Sequence, residues 1–183
     1  MDSPDKITIR IRTFPSNAVR MLKKKFQKLQ DKLLEETKSF YGNRLVSFVV
    51  FGSVARETYR YDSDIDILII ADNLPKGRMK RVTQFSAVED RVEPFLESLK
   101  KEGIDTYISA VFKTPKEAEL GSPLFLDMVE DARILYDKNE FFAKRLEKLR
   151  NRLRELGAKR VWKGNIWHWV LKPDYQPGEV IEL

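Results

Sequence analysis

The sequence predicts an α/β (α+β) fold: a short mixed β-sheet flanked by helices, followed by a C-terminal helix and a β-hairpin. Two observations carry this. Leu45–Phe51 and residues 65–70 are short apolar runs rich in β-branched residues, the pattern of strands buried on both faces. Around them lie longer segments whose apolar residues recur every three or four positions, the pattern of helices that cover a sheet.

Taken in order, residues 7–12 alternate apolar and polar side chains and predict a short strand, broken by Pro15 and Ser16. Val19, Leu22, Phe26, Leu29 and Leu33 form one stripe of an amphipathic helix that Gly42 and Asn43 end. The first buried strand follows, then a polar segment over 52–64, then the second buried strand. Asn73, Pro75 and Gly77 mark a loop. Residues 78–101 read as a helix with Val82, Phe85, Val92, Leu96 and Leu99 on one side, and Pro94 is expected to kink or divide it. Gly103 ends that helix, and residues 104–113 predict a third strand. Thr114, Pro115 and Glu117 supply a cap, a first-turn proline and a capping-box glutamate for another helix. Ser122 and Pro123 open a further short helix to Asp131, and residues 133–136 a last short strand. Phe142, Leu146, Leu149, Leu153 and Leu156 mark a final helix that Gly157 ends. Two β-prone segments then flank Lys163, Gly164 and Asn165, which predicts a hairpin. The expected organisation is one domain over 1–136 and an extension over 137–183 packed on it.

Composition narrows the chemistry. The chain has no cysteine, which excludes disulfides, thiolate zinc sites and cysteine nucleophiles. Its one histidine, His168, makes a Ser-His-Asp triad a poor fit. Carboxylates are plentiful, so a metal here is expected to be a hard ion such as Mg²⁺. No apolar run approaches the ~20 residues that span a bilayer, and the N-terminus lacks signal-peptide features, so a cytoplasmic protein is expected. Abundant mixed charge fits a thermophile. The net charge is +6, and residues 138–172 hold eleven Lys or Arg against three Glu. Such a face suits a phosphate-bearing partner, although a solvated helix gives the same pattern.

The informative segment is FGSVARETYRYDSDIDILII. Gly52 and Ser53 directly follow one buried strand, and Asp64 and Asp66 open the next. Alternation along a strand turns the two carboxylates to one face, close enough to share a cation. Without a cation, their mutual repulsion would push one toward protonation. Glycine allows close approach to the backbone, whose N–H groups, with the serine hydroxyl, can hold phosphate oxygens. If the strands are neighbours, phosphate donors and metal ligands lie side by side, which suits nucleotidyl transfer.

The same segment, GSVARETYRYDSDIDILI, resembles the signature of the minimal nucleotidyltransferases in the DNA-polymerase-β-like superfamily. The likeness is strongest over residues 45–71 and looser to Glu119. It implies a nucleotidyltransferase fold in which Gly52 and Ser53 bind nucleotide phosphates and Asp64 and Asp66 hold the metal. Arg56 matches a frequent basic position that reaches a phosphate; a surface ion pair is its other reading. Asp62 reads as a loop residue. The family usually places a third carboxylate on a later strand. Here the aligned position falls near Val111 or Ser109, neither acidic, and Asp105 is the remaining candidate at the start of that strand, as third catalytic carboxylate or as a loop residue.

The function expected is transfer of a nucleoside monophosphate from an NTP, foremost ATP, with Mg²⁺ (or Mn²⁺), to a hydroxyl on a protein, RNA or small-molecule acceptor. The alternative is a nucleotidyltransferase-fold module that binds nucleotide, RNA or a protein partner with little or no turnover. Trp162, Trp167, Trp169 and Tyr175, interleaved with Lys159, Arg160, Lys163 and Lys172, could stack bases, cover the core or form a homodimer contact. Trp167 and Trp169 share a strand face if the hairpin forms, and His168 faces away from them.

Overall fold

The two apolar runs pair with each other. β1 (Leu45–Phe51) and β2 (Ile65–Ala71) are antiparallel neighbours at the centre of a four-stranded mixed sheet. β3 (Ile108–Lys113) runs parallel to β2 on one edge, and β4 (Arg133–Asp137) runs antiparallel to β1 on the other. The computed structural model describes residues 16–164 and 166–183, so the strand expected at 7–12 lies outside the described residues, as does Asn165 of the hairpin turn.

Continuous apolar sequence in β1 and β2 needs cover on both faces, and the helices supply it. One face of the sheet, through Phe48, Val50, Ile65, Ile67 and Ile69, packs against α1 (Ser16–Tyr41) and α3 (Arg78–Lys101). Phe26, Leu29 and Leu33 of the predicted α1 stripe are buried there, whereas Val19 at its start is exposed. The other face, through Val49, Leu68 and Ile70, packs against α5 (Leu124–Asp131) and α6 (Phe141–Glu155). α2 (Gly52–Ala55) is one short turn at the end of β1, and α4 (Pro115–Glu119) carries the expected capping box between Thr114 and Glu117. β5 (Lys159–Lys163) and β6 (Ile166–Val170) form the expected hairpin.

Two elements differ from expectation. α3 continues through Pro94 as one helix. Pro94 lies on its exposed face, where water can satisfy the carbonyl that the proline leaves without a donor. β3 begins at Ile108, not Ile104, because β2 offers no partner before Ile65, which pairs with Ile108. Asp105 therefore lies in the loop that precedes β3, its N–H bonded to the Tyr61 carbonyl at 2.8 Å. No helix among the described residues is long and apolar enough to cross a membrane.

Asp137 ties the β1–β4 edge to α6. Its carboxylate accepts the Ser47 hydroxyl at 2.6 Å and the N–H groups of Phe142 and Ala143 at 3.0 and 2.9 Å. Glu140, at the helix entry, has left-handed backbone and caps nothing with its side chain, so Asp137 supplies the cap. Asp137→Ala is expected to lower stability by on the order of 2 kcal/mol in urea unfolding, since it orphans two helix donors and a buried hydroxyl.

Candidate functional site

The site forms where β1 ends beside the start of β2. The antiparallel register sets Phe51 opposite Asp66, so the residue leaving β1 passes directly against the Asp66 side chain. That residue is Gly52, with φ +69°, and a Cβ there would overlap Asp66 Oδ2. Both the backbone conformation and the contact therefore require glycine. The chain then turns into α2, which carries Ser53 and leads to Arg56, and Val54 is buried beneath.

Asp66 is half-buried and points to the α5–α6 face, in step with Leu68 and Ile70. Its parallel neighbour in β3 is Ser109, whose hydroxyl lies on the carboxylate's side of the sheet. Burial raises the Asp66 pKa above the ordinary carboxylate range; the Ser109 hydroxyl lowers it, the Asp64 charge raises it and Arg56 lowers it. Asp64 is the last residue before β2, is exposed, and lines a cavity of about 290 Å³ with Arg78, Glu89 and Tyr107. Glu89, on α3, also has a raised pKa, first from burial and then from Asp90 and Glu93.

Arg56 is held from behind. It pairs with Asp131 at 3.7 Å and lies over the Trp167 ring, 4.8 Å from its centroid. Arg160 pairs with the same Asp131 oxygen at 2.7 Å and lies 5.1 Å from the Trp167 centroid. Trp167 and Trp169 donate their indole N–H groups to one oxygen of Asp127 at 2.7 and 2.9 Å, which confirms that they share a strand face. His168 is exposed. The hairpin thus packs on α5 and braces Arg56, while Trp162 remains 54% exposed.

The structure brings Gly52, Ser53, Arg56, Asp64 and Asp66 to one end of the sheet. It does not bring Asp105 there: its carboxylate is largely exposed and pairs with Lys100 at 3.5 Å. The expectation that Asp105 stands on β3 is corrected by the length of that strand. Asp62 is an exposed loop residue paired with Arg60. Ser109, not an acid, stands next to Asp66, and among the described residues no cluster of three or more Asp, Glu, His or Cys could hold a metal. Two carboxylates and a hydroxyl are nonetheless hard oxygen donors of the kind Mg²⁺ takes, since that ion commonly binds one or two carboxylates plus substrate phosphates and water. Sequence reasoning did not find the Asp131–Arg160 brace, or that Glu89 and Arg78 line a cavity with Asp64, because each depends on helix packing that no local pattern records. Larger cavities, of about 550 and 730 Å³, lie along α6 and are lined by Lys138, Lys144, Lys148 and Arg152 among others, away from Asp66.

Comparison with known proteins follows this geometry. The nucleotidyltransferase domain family matches residues 30–161. The "putative protein adenylyltransferase" of Methanocaldococcus jannaschii is 33% identical over 132 residues, covering 71% of this chain and 84% of that protein. A chain from a crystal structure of a toxin-antitoxin with AMP-PNP has 15% identity and a TM-score of 0.43, covering 70% of this chain and 92% of that one. A chain from the tri-AMPylated Shewanella oneidensis HEPN toxin in complex with MNT antitoxin has 14% identity and a TM-score of 0.41, covering 72% and 92%.

Asp66 carries a cost that its function would explain. An acid whose pKa rises on folding weakens the fold where it is ionised: the penalty is present above its folded pKa and vanishes as pH falls below the unfolded value. Asp66→Asn is therefore expected to raise the thermal midpoint of the ligand-free chain at neutral pH. Gly52→Ala is expected to lower it. Paired melting curves at neutral pH check both.

Proposed function

We propose, from the premise that the chain belongs to the nucleotidyltransferase domain family, that it transfers AMP from ATP to a hydroxyl on a protein acceptor with Mg²⁺ (or Mn²⁺). The observation that carries the reading is the juxtaposition of the Gly52 turn with Asp66, with Asp64 adjacent. Phosphate donors and carboxylates meet there as nucleotidyl transfer needs. The choice of ATP and of a protein acceptor is supported by the name of the archaeal relative.

In this reading Asp64 and Asp66 hold the metal, with Ser109 orienting Asp66. The Gly52–Ser53 backbone and the Ser53 hydroxyl hold the triphosphate, and Arg56, steadied by Asp131 and Trp167, offsets its charge. A bound divalent ion would supply charge neutralisation on the triphosphate and on the departing pyrophosphate. The acceptor oxygen forms a bond to the α-phosphorus as the bond to the bridging oxygen breaks and pyrophosphate leaves. Glu89 lines the same cavity as Asp64, and its raised pKa suits it to take the hydroxyl proton.

One observation favours a second reading, nucleotide binding with little turnover: Ser109 occupies the strand position beside Asp66 where a third carboxylate would complete the set. Two measurements decide. Calorimetry with ATP and Mg²⁺ is expected to show binding that the Asp64→Asn, Asp66→Asn double variant loses; no binding by the wild type would defeat both readings. With an acceptor in hand, Glu89→Gln is expected to lower kcat by roughly 10²-fold or more while ATP affinity is kept. Asp105→Ala is expected to leave both unchanged. Tight ATP binding with no transfer to any protein acceptor would favour the second reading.

A further inference from the structure

Among the described residues β3 is an edge strand, paired only with β2. In a parallel ladder the N–H and C=O of one residue point to the same side, and successive residues alternate. The Tyr107 carbonyl accepts the N–H of Ile65 at 2.9 Å, so Tyr107, Ser109 and Val111 turn inward to β2. Ile108, Ala110 and Phe112 turn outward. The Phe112 carbonyl is met by Arg81 at 3.2 Å, and Arg81 is fixed there by a two-pronged pair with Glu117 at 2.7 and 2.9 Å. That pair holds Glu117 down to about 2. The far end of the edge is thus closed against strand addition. The outward groups of Ile108 and Ala110 have no partner among the described residues.

An open edge is a hazard that proteins usually block along its length. Here the block covers one end, and no described residue covers the end next to Asp64. Two cavities, of about 330 and 290 Å³, follow the edge and share Arg78, Ser109, Ala110 and Phe112. The first ends at Glu117 and the second at Asp64 and Tyr107, a residue 61% exposed. Arg78 stands over both, exposed, with no acidic partner among the described residues.

We propose that this edge is the docking strand for the acceptor: an extended segment of a protein pairs with Ile108 and Ala110 and presents its hydroxyl residue at Asp64. The unpaired backbone groups call for another backbone, which an extended peptide supplies. Arg78 selects a segment with an acidic side chain before or after the hydroxyl residue. Tyr107 gives that residue a surface to rest on. The docking rests on the transfer reading only for what happens after binding, so the two are tested by separate readouts.

The probe is a short blocked peptide alternating valine and glutamate about a central tyrosine, added to the full chain with ATP and Mg²⁺. Amide exchange at Ile108 and Ala110 is expected to slow by on the order of tenfold, while Ser109 and Val111, already bonded to β2, do not change. N-methylating alternate peptide residues on the edge-facing side should abolish the protection, and methylating the intervening ones should not. Ala110→Pro removes an outward donor and should abolish it too. Should that variant fold poorly, as its melting curve would reveal, replacing the peptide's glutamates with lysines should weaken its binding to the unaltered chain roughly tenfold. Protection without nucleotide transfer would keep the docking site and sink the transfer reading. No protection at Ile108 and Ala110 overturns the proposal. So does protection by single-stranded RNA instead of peptide, or protection that rises with protein concentration alone, which would make a second copy the occupant.

Discussion

The site depends on one contact, the approach of Gly52 to the Asp66 carboxylate. β1 and β2 are antiparallel neighbours, and their register sets the end of one strand against the start of the other. Any side chain on the residue leaving β1 would meet Asp66, and any residue but glycine would be strained at that φ. Because the turn is tight, the backbone of α2 and the carboxylates share one end of the sheet.

That arrangement puts a carboxylate in a half-buried position, which is unfavourable without compensation. The compensation is distributed. The Ser109 hydroxyl on β3 and the Arg56 charge at the end of α2 both favour the ionised carboxylate. Arg56 is in turn steadied by Asp131 of α5 and Trp167 of β6, so the C-terminal hairpin acts on the site through one guanidinium. The basic, aromatic tail thereby gains a role that neither its charge nor its aromatic content indicates. Trp167 and Trp169 spend their indole donors on Asp127, and the Trp167 face on two arginines. Trp162 alone of the three keeps an exposed ring.

The α1 and α6 stripes, the α4 capping box and the hairpin were legible because each is a local pattern whose period or spacing is set by backbone geometry. Gly52 and Asp66 were legible for a related reason: polar residues at the ends of buried strands stand out against their surroundings. The start of β3 was expected too early, and Asp105 takes the loop position that was its other reading, because strand length depends on where the partner strand begins. Pro94 was expected to kink or divide α3; it does not divide it, and its exposed position lets solvent replace the missing donor.

The sequence by itself determined the element types, the two central strands, the glycine turn and the Asp pair, since these follow from side-chain periodicity and from residue chemistry at fixed spacing. Only the tertiary structure decided the strand order, and with it that Ser109 is the neighbour of Asp66, that Glu89 faces the same cavity as Asp64, and that Arg81 closes one end of the β3 edge while no described residue pairs with the outward groups of Ile108 and Ala110. Those relations join residues far apart in the chain, and packing of whole helices and strands, not any local preference, sets which of them meet.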